Sequence, residues 1–153
     1  MRSLLLLLGI LLLSVSCTAT NMKVILKTDK SDIKTVVPNK DDSEELLSSL
    51  TELIKKTDDM LKVYLSSDRI GRIKKNEQYI EFLFDSKVEV SSDMFGNYNI
   101  NKVLIPLTGT FGVSNSSEMT TIILGDDDGY ISGPLRNSNG NMLIQKMKQL
   151  LEK

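Results

Sequence analysis

Histidine and tryptophan are absent from this 153-residue chain, cysteine occurs once, and aromatic residues make up only 5%. The missing histidine excludes the most. Without it there is no imidazole to act as general base, to ligate zinc, or to activate a serine or cysteine nucleophile. Most hydrolase mechanisms are closed to the chain on that ground. A lone cysteine excludes an intramolecular disulfide, so stability has to come from an apolar core. The scarcity of aromatics leaves no evident platform for stacking sugars. The chain also has no large charge of one sign: 19 basic residues face 20 acidic ones, a formal net charge of -1. An obligate nucleic-acid binder usually shows a clear basic excess, and none is present, so no nucleic-acid partner is expected.

What the sequence does have begins at its first residues, MRSLLLLLGILLLSVSC. Arg2 gives a short positive region, and residues 4–13 are apolar, interrupted only by Gly9. Spanning a bilayer takes about 20 apolar residues; this run is shorter and ends in small residues, the pattern of a cleaved secretory signal. A buried core helix would carry a polar face, and residues 4–13 have none. The segment Leu13-Ser14-Val15-Ser16-Cys17 resembles the lipobox of bacterial lipoprotein precursors. That resemblance covers the first 17 residues only. It implies cleavage before Cys17, diacylation of its thiol, and residence in the bacterial cell envelope on a lipid anchor. Ser16 satisfies the need for a small side chain beside the cut, whereas Ser14 stands where the family usually has Leu, Ile or Val. The alternative is cleavage near Ala19 and release as a soluble secreted protein. An unpaired thiol in an oxidising compartment favours lipidation.

What remains after residue 16 is the size of one ordinary domain. Residues 17–42 read as a lipidated cysteine and polar tether containing one early strand at 22–27, with 33–37 as a weak second pairing segment. Residues 43–153 read as a single α+β domain. The clearest element is a helix over 43–56: Leu46, Leu47, Leu50, Leu53 and Ile54 fall on one face of a 3.6-residue period. Asp42 and Glu45 have the spacing of a capping box. Residues 60–65 alternate as a strand, and Ser67-Asp68 opens a short helix over 69–75. Strand signals follow at 79–84, with Ile80, Phe82 and Phe84 on one face, and at 88–90, joined as a hairpin through Asp85-Ser86. Residues 91–99 read as a polar loop. Residues 102–108 and 119–124 form a second hairpin, and Pro106, which cannot donate to a ladder, marks an edge or a bulge. A final helix over 141–151 carries Leu143, Met147 and Leu150 on one stripe. The expected fold is α+β: an antiparallel sheet of about 4–6 strands, with the N-terminal and C-terminal helices packed on one face.

Six sequence features suggest chemistry. Asp126-Asp127-Asp128-Gly129 could hold calcium, but an EF-hand register would place Leu124 and Leu135 at ligand positions. Asp-Gly is also a strong turn signal, so Asp126 and Asp128 stand only as weak metal candidates beside a turn. Arg69, Arg72, Lys74 and Lys75 form a basic cluster suited to anionic headgroups, against the plainer reading of a solvated helix face diluted by Asp68 and Glu77. Ser31 and Lys34 have Ser-x-x-Lys spacing but lack the accompanying motifs. Acid pairs such as Glu81 and Asp85 have no specificity in a chain with 20 acids. Tyr79, Ile80, Phe82 and Phe84 could line a pocket, though such residues are usually core. Asn115-Ser116-Ser117 is a glycosylation sequon that matters only in a eukaryotic source.

The sequence therefore points to a membrane-anchored envelope lipoprotein with Cys17 as its one chemically committed residue. Its domain is expected to be non-catalytic, with no cofactor, and to bind or scaffold an envelope protein partner. The alternative is a small-ligand or calcium carrier; third stands a metal-dependent hydrolase using carboxylates alone.

Overall fold

The computed structural model describes residues 21–29, 31–112 and 119–153. Eight strands form one antiparallel sheet: β1 (Met22–Lys27), β2 (Ile33–Val36), β3 (Asp59–Met60), β4 (Tyr79–Ser92), β5 (Gly96–Pro106), β6 (Thr120–Asp126), β7 (Gly129–Tyr130) and β8 (Leu135–Asn137). Their order is β2-β1-β4-β5-β6-β8-β3, with β7 also paired to β6. Three helices accompany them: α1 (Lys40–Lys55), α2 (Ser67–Asn76) and α3 (Asn141–Glu152).

The α+β class and the antiparallel pairing are as expected, but the strand count exceeds the expected 4–6. The surplus comes from β3, β7 and β8, two or three residues each, too short to show an alternation in sequence. The segment expected as a strand over 60–65 contributes only Met60 to β3. Beyond it the chain is irregular, tied to 131–134 by Leu61 N–H to Pro134 O at 2.8 Å and Gly133 N–H to Val63 O at 3.2 Å.

The hairpin expected at Asp85-Ser86 does not exist. β4 runs straight through these residues and absorbs the irregularity as a register shift between Leu83 and Val88 against β5. Such a bulge bends a strand without ending it. The chain turns at 93–95 instead, where Ser92 Oγ accepts the N–H groups of Met94 and Phe95. Gly96 follows with φ of 86°, a conformation that costs glycine little. Pro106 is likewise not on an edge strand, since β5 lies between β4 and β6. Proline is tolerated because it is the last residue of β5, beyond Leu104, where the pairing with β6 stops.

α1 begins three residues earlier than its spacing suggested. Asn39, not Asp42, is the cap: its side chain accepts the Asp42 N–H at 2.9 Å and donates back to the Asp42 carboxylate at 2.8 Å. Asn39 thus satisfies one free N–H of the first turn, while its own side-chain amide is held by the Asp42 carboxylate.

Period-two alternation sorts the sheet's side chains onto two sides. Val24 and Leu26, Ile80 and Phe82, Val103 and Ile105, and Ile122 and Leu124 form the larger cluster. Leu46, Leu50, Leu53 and Ile54 of α1 and Ile144, Met147, Leu150 and Leu151 of α3 join it. The intervening residues Tyr79, Leu104 and Ile123 form a smaller cluster with Ile70 and Ile73 of α2, and with Leu65 and Phe111. Ile25, Leu61, Val63 and Tyr130 pack against it. The apolar residues of the sheet thus divide between a larger cluster that includes residues of α1 and α3 and a smaller one that includes residues of α2.

Candidate functional site

The densest group of ionisable side chains lies on the α2 side of the sheet. β1 and β4 are adjacent, with Ile25 opposite Glu81 and Lys27 opposite Tyr79. Alternation therefore aims Lys27, Glu81 and Tyr79 at α2 instead of the larger core. Lys27 and Glu81 are each 2% exposed, and charges so buried require partners. Lys27 Nζ donates to the main-chain carbonyls of Lys74 and Lys75, both at 2.7 Å. These are among the last carbonyls of α2, which have no intrahelical donor and sit at the negative end of the helix dipole. Lys27 Nζ also lies 5.9 Å from the centre of the Tyr79 ring.

Glu81 is held from the other direction. Its Oε1 accepts from both Lys74 Nζ and Tyr130 OH. The Tyr130 ring has two ammonium groups near it, Lys74 at 5.4 Å and Lys102 at 5.5 Å. Burial pushes the Tyr130 hydroxyl pKa far above that of free tyrosine, reinforced by its hydrogen bond to Glu81 and by that carboxylate's charge. Tyr79 is raised too, first by burial and then by Glu81. Tyr130 therefore stays protonated and acts as a donor at physiological pH. Glu81, Lys74, Tyr130 and Lys27 are bound to one another and to helix carbonyls, so the group fastens α2 to the sheet. As it stands, none of the four is free to act on a substrate.

A second, half-buried acid sits at the same C-terminal end of α2. Glu77 presses its carboxylate onto Gly109, where a Cβ would lie within 2.6 Å of three of its atoms and where φ is 78°. Burial raises its pKa, opposed by a hydrogen bond from the Thr110 backbone. Only glycine allows the turn at Gly109–Phe111 to come so close.

The residues singled out from the sequence fall as follows. Cys17 and the sequon at Asn115 lie outside the described residues. Asp126 ends β6 and Asp128 is the second residue of the two-residue turn that closes the β6–β7 hairpin, with Asp126 paired to Gly129. Asp126 Oδ1 accepts the Asp128 N–H at 3.0 Å. Between them Asp127 pairs with Lys87 at 3.1 Å and accepts from Asn101, and that partner raises the Lys87 pKa. Among the described residues no group of three or more Asp, Glu, Cys or His side chains is gathered closely enough to hold a metal ion.

Ser31 and Lys34 do not meet: Lys34 Nζ donates to the Leu151 carbonyl at 2.7 Å, at the end of α3. Glu81 and Asp85 are separated in role, the first buried and fully engaged, the second exposed on β4. Tyr79 belongs to the smaller cluster, while Ile80, Phe82 and Phe84 belong to the larger one. Of the basic cluster, Lys74 turns inward to Glu81 and Arg69 stacks on Phe111 at 4.8 Å, while Arg72 and Lys75 are exposed.

Lys27 and Tyr130 were not signalled by the sequence. Lys27 looks like an ordinary polar end to a strand, on the face of Ile25 and opposite that of Leu26, and nothing in its spacing marks it as buried. A shallow groove of about 740 Å³ runs along α1, lined by Leu47, Ser48, Thr51, Lys55 and Asp93 among others; it contains none of the buried ionic residues. No described helix is long and apolar enough to cross a membrane. The chain matches no family model, no curated protein and no solved structure.

Proposed function

We propose that the chain is a lipoprotein, acylated at Cys17 and held on a bacterial envelope membrane, whose domain binds or scaffolds an envelope partner without catalysing a reaction. The observation that carries this reading is the sequence Leu13-Ser14-Val15-Ser16-Cys17 directly after an apolar run too short to span a bilayer. Two features support it. The chain has no histidine, and the buried acids and bases described above are spent on holding α2 to the sheet. The division of buried residues between two clusters further supports reading α1 and α3 as a single layer, leaving the α2 side and its rim for contacts outside the domain. The test is metabolic labelling with a radiolabelled or alkyne fatty acid. Wild-type chain should take up label and Cys17→Ala should not, accumulating unprocessed; label retained by Cys17→Ala would overturn the assignment.

A further inference from the structure

The charges on the two sides of the sheet are disposed differently. On the α1 and α3 side four lysines are paired, Lys40 with Glu44, Lys56 with Glu52, Lys146 with Glu45, and Lys153 with Asp42, and the acids Asp41 and Glu152 offset the remaining Lys55 and Lys148. On the α2 side Lys74–Glu81 points inward, and two further pairs, Arg136–Asp59 and Lys87–Asp127, involve strand residues that alternate with members of the larger cluster. The remaining cations there have no carboxylate within ion-pair distance among the described residues: Lys23, Lys62, Arg69, Arg72, Lys75 and Lys102. Their grouping is invisible in the sequence, because the sheet creates it. Lys23 lies opposite Leu83 on β4, and Leu83 opposite Lys102 on β5, so the two lysines flank one leucine about 10 Å apart. Alternation puts both on the side of Ile25 and Leu104, beside α2. Lys62 and Tyr64 alternate with Leu61, Val63 and Leu65, which pack inward; Tyr64 is 77% exposed. Asp68 is the sole carboxylate on α2.

We infer that this basic side is a docking surface for the anionic bilayer to which the chain is anchored. The inference rests on the lipidated reading of Cys17 and adds an orientation to it. Two arguments select the bilayer as occupant. The first is reach. β1 begins at Met22, so the covalent path from Cys17 is at most about 17 Å when fully extended. Lys23 is the second residue of that strand. A domain on so short a leash cannot stand clear of the headgroups, and its lysines meet them at high effective concentration. The second is charge. Each basic residue near an anionic leaflet contributes about a fivefold factor in partitioning, and this side presents six cations outside any ion pair among the described residues against the exposed carboxylates Asp68, Asp85 and Glu89. Tyr64 adds an exposed aromatic ring of the kind enriched at membrane interfaces. The opposite side, where acids on α1 and α3 balance the lysines, has less such attraction.

The test uses the full chain, purified from membranes in detergent and reconstituted into vesicles containing headgroup-linked nitroxide quencher. A fluorophore is placed at Asn76→Cys on α2 or at Gln149→Cys on α3, both exposed. In vesicles of about one-third phosphatidylglycerol, the Asn76 probe should be quenched at least about twofold more than the Gln149 probe. The contrast should vanish in pure phosphatidylcholine and at high salt. Lys23→Glu/Arg72→Glu should abolish it. Gly71→Lys should enlarge it, since a side chain at Gly71 meets nothing within 4 Å. Equal quenching at the two positions, a contrast that persists in phosphatidylcholine, or one displaced by duplex DNA overturns the docking. Failure of the anchor reads out separately, as Cys17→Ala leaving the chain's mass and its sedimentation with vesicles unchanged, while the two-position comparison still decides the orientation.

Discussion

The two sides of the sheet solve the same burial problem by different means. On the α1 and α3 side, large apolar residues from the sheet and from both helices share one cluster, and the charges are left outside in solvated pairs. On the α2 side the apolar cluster is small, and the helix is fastened partly by a buried network: Lys27 to the helix carbonyls, and Lys74 with Tyr130 to Glu81. The difference shows where specificity and strength reside. Apolar burial is non-directional and scales with area, so it holds α1 and α3 firmly and tolerates volume-conserving exchange. A buried ionic group contributes less net strength, because desolvation offsets the attraction. It does fix one geometry, since a slip of one residue in β1 would carry Lys27 into the larger core.

The largest expected effect tests the apolar side. Phe82→Ala should cost about 3–5 kcal/mol in a denaturant titration, the range for removing a fully buried phenylalanine. Glu81→Ala should cost about 2 kcal/mol, because Lys74 and Tyr130 lose their acceptor while Lys74 can still turn partly to water. A loss equal to that of Phe82→Ala would erase the proposed contrast between the two sides.

A third measurement follows from Glu77. Its folded pKa lies above that of an unfolded glutamate because burial disfavours the charge. Its stabilising contribution is therefore present below the unfolded value and is lost as pH rises through the folded one. Glu77→Gln should be closest to wild type in melting temperature near pH 4 and gain relative to it toward pH 7. A difference that shrinks over that range would reverse the sign. The smallest effect belongs to the solvated pairs. Lys146→Ala should change stability by less than about 1 kcal/mol, because both Lys146 and Glu45 are close to half exposed.

The elements with a strong period were legible in the sequence. Leu46, Leu50, Leu53 and Ile54 announced α1, Met147 and Leu150 announced α3, and Ile80, Phe82 and Phe84 shared a face as their spacing required. Boundaries were less so. Asn39 took over the cap because it can both accept and donate, which the Asp42 spacing did not reveal. β3, β7 and β8 exist only because neighbouring strands offer them hydrogen bonds, so no local pattern marks them. The bulge between Leu83 and Val88 mimics a turn in sequence, since Asp85 and Ser86 are turn formers, yet β5 keeps pairing beyond it. The buried network was the least legible of all. Lys27 finds its acceptors on α2 and Glu81 one of its donors on β7, each nearly fifty residues away; such partners follow from topology and not from spacing.

The place of β1 has a kinetic consequence. Although it opens the described chain, it lies between β2 and β4, and Met22 pairs with Phe84. β2 and α1 leave a ribosome or translocation pore soon after β1, but they cannot close the sheet without β4. β3 waits longer still, for β8. Loop closure of this span is entropically expensive and slows folding relative to chains with local contacts. The chain should therefore stay open until most of it has emerged.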